Sequence, residues 1–348
     1  MKKTYIIAEI GINHNGDLKN ALRLIDIAAA AGCDAVKFQK RNPDVCVPEH
    51  QKNIMRDTPW GQMTYLDYKY KVEFEKAEYD VIDAHCKAHG IEWSASPWDM
   101  DSLEFLNKYD VPFLKVPSAM LTNDELLEGC VASGKRVIFS TGMSTKEEID
   151  HAVMVLRKAK LVHNNPNKIG LLHCNSTYPA PINELNLSGL KTLQAEYPDF
   201  EIGYSGHEFR LGTTVAAVYL GASIIERHIT LDKSMWGTDQ AASLGPNGLR
   251  TLVSHIRTVE KSLGDGVKKV YEPKIVGSKS TFSWLSKTNS IPADKIEYSM
   301  ETGSERPIGI LISPSKFSKT CTKAYCVASH SAHFGLGQGH STRSMIIA

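Results

Sequence analysis

Eight short apolar, β-branched runs alternate with helix-period segments over the first ~265 residues, and this alternation constrains the fold more than any other feature. The runs are Tyr5–Ile10, Ala35–Gln39, Ile91–Ser96, Phe113–Ser118, Val137–Thr141, Ile169–Cys174, Glu201–His207 and Ile224–Ile229. Segments such as Asp17–Ala31 and Lys146–Lys160 carry the helical period between them. Ser144-Thr145 ahead of Glu147-Glu148, and Asn123 ahead of Asp124-Glu125, have the form of helix starts. Gly32, Gly90 and Gly134 stand where a left-handed residue ends a helix. Strand–helix alternation implies a parallel sheet with right-handed crossovers, and about eight units in this length match a (β/α)8 barrel. A doubly wound open sheet is the rival, but Glu9 to Gly16 after the first run lack the G-x-G-x-x-G turn. The expected architecture is therefore an α/β chain: a TIM barrel over 1–272, then a short, divergent C-terminal segment over 273–348.

Composition narrows the partners. With 42% hydrophobic and 23% charged residues the chain is globular, which excludes disordered and collagen-like classes. Forty basic residues balance 39 acidic ones at a net charge of +1, so there is no global electrostatic case for nucleic acid. No stretch approaches the ~18 apolar residues that span a bilayer. The apolar run after Met1-Lys2-Lys3 breaks at Glu9, too early for a signal-peptide core. Seven cysteines form no C-x-x-C pair, which fits reduced thiols in the cytoplasm. The character changes near Val276. Fourteen of the residues 277–348 are Ser, and no acid follows Glu305. The tail can be a small β-rich domain, a disordered end, or a basic arm that touches an anion.

Nearly every apolar run ends in polar residues: Glu9; Lys37 and Gln39; Ser96; Lys115 and Ser118; Ser140 and Thr141; His173 and Ser176; Ser205 and His207; Glu226 and His228. The carboxyl ends of barrel strands converge on one mouth, where barrel enzymes hold their chemistry. His207 and His228 end neighbouring strands and can meet around a divalent metal, or serve only as hydrogen-bonding residues. Imidazole ligands alone favour Zn or Fe. Lys37 and Lys115, with Ser118, Ser140 and Ser205, suit a phosphate or carboxylate. The lysines can instead pair with Glu9 or Glu226, or one can form a Schiff base. Asn42–Glu75 is long for a βα connection and rich in aromatic and Met residues. It can be a packed excursion, a subunit contact or a lid.

Several motifs occur in one order: Ala8-Glu9-Ile10-Gly11-Ile12-Asn13-His14-Asn15-Gly16-Asp17, Ala35-Val36-Lys37-Phe38-Gln39, Lys115-Val116-Pro117-Ser118, Ser140-Thr141-Gly142-Met143, His173-Cys174-Asn175-Ser176-Thr177-Tyr178-Pro179, Gly203-Tyr204-Ser205-Gly206-His207 and Glu226-Arg227-His228. Together they resemble the sialic acid synthase family, N-acetylneuraminate synthase and its nonulosonate relatives, over about residues 4–272. The resemblance implies condensation of phosphoenolpyruvate with an open-chain N-acetylhexosamine such as N-acetylmannosamine, with release of phosphate, in a homodimer. It implies that His207 and His228 hold Mn2+ or Mg2+. Lys37, Lys115, Ser118, Ser140, Ser205 and Ser176 would bind phosphoenolpyruvate, with Ser96 among the substrate-binding strand ends. Glu9 would stabilise the cation formed at the enol carbon or orient water. Gln39, Tyr178, Glu226 and Asp239 match sugar-holding positions. Three departures stand out: Ala119-Met120 where the family commonly has Gly-Glu, Gly245 where one branch has an acid, and a tail that matches the usual antifreeze-like domain only faintly at Glu305-Arg306-Pro307-Ile308-Gly309-Ile310. Alternative readings are a legionaminate- or pseudaminate-type synthase, a metal-free class I aldolase or lyase, and a non-catalytic anion-binding barrel.

Overall fold

Every apolar run identified by the alternation forms a parallel strand in the computed structural model, which describes residues 3–269. The expected boundary at 272 and the tail beyond it lie outside the described residues. The strands are β1 Tyr5–Gly11, β2 Ala35–Lys40, β3 Met55–Thr58, β4 Gly61–Thr64, β5 Glu92–Pro97, β6 Phe113–Val116, β7 Arg136–Ser140, β8 Gly170–Cys174, β9 Glu201–Gly206 and β10 Ile224–His228. Eight of them run in the order β5-β2-β1-β10-β9-β8-β7-β6. β5 and β6 close the ring side by side, where the Ser94 hydroxyl donates to the Phe113 carbonyl. The fold is thus the expected TIM barrel. β3 and β4 pair antiparallel as a separate hairpin inside the long 42–75 excursion.

The helices are α1 Leu18–Ala31, α2 Pro43–Cys46, α3 Tyr65–Val72, α4 Lys76–His89, α5 Met100–Asn107, α6 Asp124–Ala132, α7 Lys146–Val162, α8 Gly189–Glu196, α9 Gly212–Tyr219 and α10 Pro246–Ser262. Their ends follow local chemistry. Asp17 caps α1 by accepting from the Lys19 N–H, and Thr145 and Glu148 form a reciprocal capping box on α7. Gly32 and Gly90 close α1 and α4 in the left-handed conformation. The expected strand over Phe113–Ser118 stops at Val116, because Pro117 has no N–H to give the ladder. Ser118 instead opens a 3-10 turn at the mouth.

The two-residue period of a strand then sets the layers. Inside the barrel, Ile7, Ala35, Phe113, Ile138, Leu172 and Ile224 form a closed apolar floor. Two residues further along each of those strands stand Glu9, Lys37, Lys115, Ser140, Cys174 and Glu226. Outward-facing residues such as Ile6, Ala8, Val36, Leu114, Val137 and Leu171 pack under the helices in the main core.

Not every outward position is apolar. Arg227 follows Glu226 and is buried against Glu208, with Nη1 at 3.2 Å from Oε1 and 2.6 Å from Thr214 Oγ1. Tyr204, Thr213 and Thr214 hydroxyls also donate to the Glu208 carboxylate. This network ties the end of β10 to the turn after β9 and to α9. Arg227→Met leaves Glu208 as an uncompensated buried charge. The expected destabilisation is about 3–5 kcal/mol, read from urea denaturation; a change under about 1 kcal/mol would show that water reaches and solvates the carboxylate.

Candidate active site

The polar layer above the floor opens into a cavity of about 170 Å³. Glu9, Lys37, Gln39, Ser96, Lys115, Ser118, Ser140, Ser176, Tyr178, Ser205, His207, Glu226 and His228 all line it. Asp239 lies behind the wall, its Oδ2 3.6 Å from His228 Nδ1. The convergence follows from register: Glu9 pairs with Lys37 and His228 across β1, and Glu226 pairs with Ser205.

Charge balance dominates this layer. Lys37 Nζ lies 2.6 Å from Glu9 Oε2, 3.8 Å from Glu226 Oε1 and 2.9 Å from Ser96 Oγ. Lys37 therefore adopts the ion-paired alternative that its sequence context left open. Gln39 Nε2 donates to Glu9 Oε1 at 3.1 Å. Full burial raises Glu9 to about 7, with Lys37 opposing and Glu226 adding to the rise. Burial would raise Glu226 too, but Lys115, Lys37 and the two histidines outweigh it and hold the group at about 2. One carboxylate is thus firmly ionised and the other divides between its forms near neutral pH.

Lys115 differs from Lys37. No carboxylate lies within ion-pair distance of its ammonium among the described residues, and the ammonium donates to the Val116 carbonyl at 3.2 Å. Burial lowers its pKa, with Glu226 opposing. Ser140 Oγ is buried with no hydrogen-bond partner. Ser118 Oγ accepts from the Gly142 N–H at 3.0 Å. A Cβ on Gly142 would collide with Ser176 Oγ and stand 2.9 Å from Ser118 Oγ, so only glycine leaves both hydroxyls room. An unpaired buried cation beside free hydroxyls is a receptor for an anion.

The two histidines converge on one point. His207 Nδ1 lies 2.6 Å from the Asn175 carbonyl, an obligate acceptor, so Nδ1 carries the hydrogen and Nε2 presents a lone pair. Tyr178 OH sits 2.8 Å from His207 Nε2 and 3.3 Å from His228 Nε2. Burial, followed by Asp239, raises Tyr178 far above the phenol range, so it keeps its single proton. The Tyr178 hydroxyl has one hydrogen to share between the two rings it touches. Glu226 Oε2 nearby is buried without a hydrogen-bond partner. Two convergent Nε2 atoms and a carboxylate oxygen without a hydrogen-bond partner in the same cavity form a donor set that suits a divalent cation.

Two expected strand-end residues stay out of the cavity lining, Thr141, whose hydroxyl donates to the Leu172 carbonyl at 3.2 Å, and His173, and other residues join it unannounced. His173 faces outward, its Nε2 2.8 Å from the Leu185 carbonyl, and the inward residue of β8 is Cys174. The parity that carries Leu172 to the floor gives this directly. Trp98, Pro117, Ala119 and Met143 also line the cavity. Trp98 follows Ser96 by two, as Gln39 follows Lys37, and Arg41 stacks on its ring at 4.2 Å. The excursion packs on the loop after β10: Trp60 and Tyr68 meet Trp236 at 6.0 and 5.1 Å.

Known proteins share both the sequence and the barrel. The sequence model of the NeuB family matches residues 24–268. The N,N'-diacetyllegionaminic acid synthase of Campylobacter jejuni is 40% identical over 271 residues, 77% of this chain and 80% of its own length. The human N-acetylneuraminate-9-phosphate synthase is 37% identical over 268 residues, 76% of this chain and 73% of its own. The crystal structure of N-acetylneuraminic acid synthetase from Leptospira borgpetersenii, in complex with citrate, has a TM-score of 0.69 at 35% identity, over 78% of this chain and 88% of that one.

Lys115→Met removes the unpaired cation. Affinity for inorganic phosphate, measured by titration calorimetry, is expected to fall by about 1.5–3 kcal/mol, roughly tenfold to a hundredfold. Unchanged affinity would return Lys115 to a structural role.

Proposed function

This chain belongs to the NeuB family, and from that premise we propose that it condenses phosphoenolpyruvate with an open-chain N-acetylhexosamine to make a nonulosonate. The observation that carries the reading is Lys115: a buried ammonium without a carboxylate contact, beside the unpaired hydroxyl of Ser140, in a cavity whose other lysine is neutralised.

In this reading Lys115, Ser140, Ser118 and Ser176 bind the phosphoenolpyruvate anion, and Lys37 holds its other end against Ser96 and Ser205. Gln39, Tyr178, Glu226 and Asp239 orient the sugar. A divalent ion on His207 and His228, Mn2+ or Mg2+, supplies Lewis-acid polarisation of the aldehyde. The phosphoenolpyruvate methylene carbon bonds to the aldehyde carbon, whose oxygen takes a proton. Water then bonds to the former enol carbon and gives its proton to Glu9, which near pH 7 is poised between its two forms. Breaking the carbon–oxygen bond to phosphate, with the proton of the new hydroxyl passing to the departing phosphate, leaves the 2-keto acid. Glu226, held ionised, stabilises the positive charge at the enol carbon. The acceptor is N-acetylmannosamine in the first reading; likeness to a legionaminic acid synthase makes a 2,4-diacetamido-6-deoxyhexose the second. A cytoplasmic homodimer completes the proposal.

A metal-free lyase with Lys115 as Schiff-base nucleophile is the competing reading, favoured by the lowered pKa of that buried amine. Borohydride with pyruvate separates the two, since only an imine is trapped.

His207→Ala is expected to lower kcat more than about a hundredfold, by loss of several kcal/mol of carbonyl polarisation. EDTA abolishes, and Mn2+ restores, phosphate release from phosphoenolpyruvate in the presence of the sugar. Full turnover by the metal-stripped chain would overturn the assignment.

A further inference from the structure

Asp26, His85 and His89 bring one ligand atom each to within 4.8 Å of one another, on the outside of the barrel. Asp26 belongs to α1; His85 and His89 stand one turn apart on α4. His85 Nε2 lies 2.6 Å, and His89 Nε2 3.4 Å, from the same oxygen, Asp26 Oδ1. His89 Nδ1 lies 2.9 Å from the His85 backbone carbonyl. That carbonyl can only accept, so His89 Nδ1 carries a hydrogen and Nε2 is the nitrogen aimed at the Asp26 carboxylate. Two imidazole nitrogens aimed at one carboxylate oxygen can share a proton there or, in its place, a metal ion.

We propose that Asp26, His85 and His89 form a surface site for a transition-metal ion of the zinc type, separate from the mouth and independent of the proposed reaction. Imidazole and carboxylate ligands at about 2.0–2.2 Å from a tetrahedral ion stand about 3.3 Å apart. The His89–Asp26 separation, 3.4 Å, already lies near that value, and the His85–Asp26 separation of 2.6 Å opens by about 0.7 Å when the ion replaces a shared proton. Two imidazoles and one carboxylate favour zinc, nickel or copper over magnesium or calcium. Water fills the fourth position, because Asp26 and His89 are exposed. The electrostatics agree: His89 is the last residue of α4, where the helix end favours positive charge. α4 ends just before β5 begins, so the site lies at the floor end of the barrel, away from the mouth. A bound ion clamps α1 to α4.

The test is zinc titration calorimetry on the full chain. In a His207→Ala/His228→Ala background, which removes the mouth imidazoles, adding His89→Ala is expected to weaken one zinc-binding event at least tenfold, and adding Asp26→Asn several-fold. Superimposable isotherms would overturn the site. If the mouth variant does not fold, the wild-type chain and the single variant His89→Ala are compared by melting with and without zinc. The ion is expected to raise Tm more in the wild type, since only a folded pair of helices holds all three ligands. An equal rise in both would overturn the proposal. Phosphate release by His89→Ala is expected to match the wild type.

Discussion

Two carboxylates and two ammonium groups buried in one layer of a barrel mouth set the terms for the rest of the molecule. Ionised groups survive burial only when paired, and the pairing in this layer is uneven. Lys37 is committed to Glu9 at 2.6 Å, with Glu226 at 3.8 Å, while Lys115 has no carboxylate within ion-pair distance among the described residues. The apolar floor of Ile7, Phe113, Ile138, Leu172 and Ile224 shuts water out from below and strengthens every interaction above it. Outside the ring, the Arg227–Glu208 pair fixes the residues next to His228 and His207. Two of the histidines' neighbours thus serve the fold so that the histidines themselves can face the cavity.

Most of this was legible in the sequence because a parallel strand buried on both faces repeats every two residues. The eight apolar runs became the eight barrel strands, and the polar strand ends became the cavity wall. Parity also corrects the reading of β8: a polar residue near the strand end does not place His173 in the mouth, since Leu172 and Cys174 share the inward face. What the sequence left open was pairing. Lys37 and Lys115 occupy equivalent positions on β2 and β6, and only their distances to Glu9 and Glu226 make one an ion-pair partner and the other an anion receptor. Trp98 was harder still, because loops after strands follow no fixed period.

The departures from the family pattern divide by location. Gly245 is the N-cap residue of α10, with Pro246 at the first helical position and no side chain to accept from the helix. An acid there would serve as a cap, and glycine in its place weakens the helix start by only a few tenths of a kcal/mol. Ala119 is different, because it lines the cavity beside Ser118. The family's acid falls at Met120, which is absent from the cavity lining and packs against the main core.

In the proposed reaction phosphate leaves by cleavage of its bond to the enol carbon, after water has added there. Phosphoenolpyruvate carrying 18O in the bridging oxygen probes that step without relying on any variant. With N-acetylmannosamine or a 2,4-diacetamido-6-deoxyhexose as acceptor, the label is expected to depart with the released phosphate. Label retained in the keto acid would mean that water attacks phosphorus instead, and would contradict the proposed roles of Glu9 and Glu226.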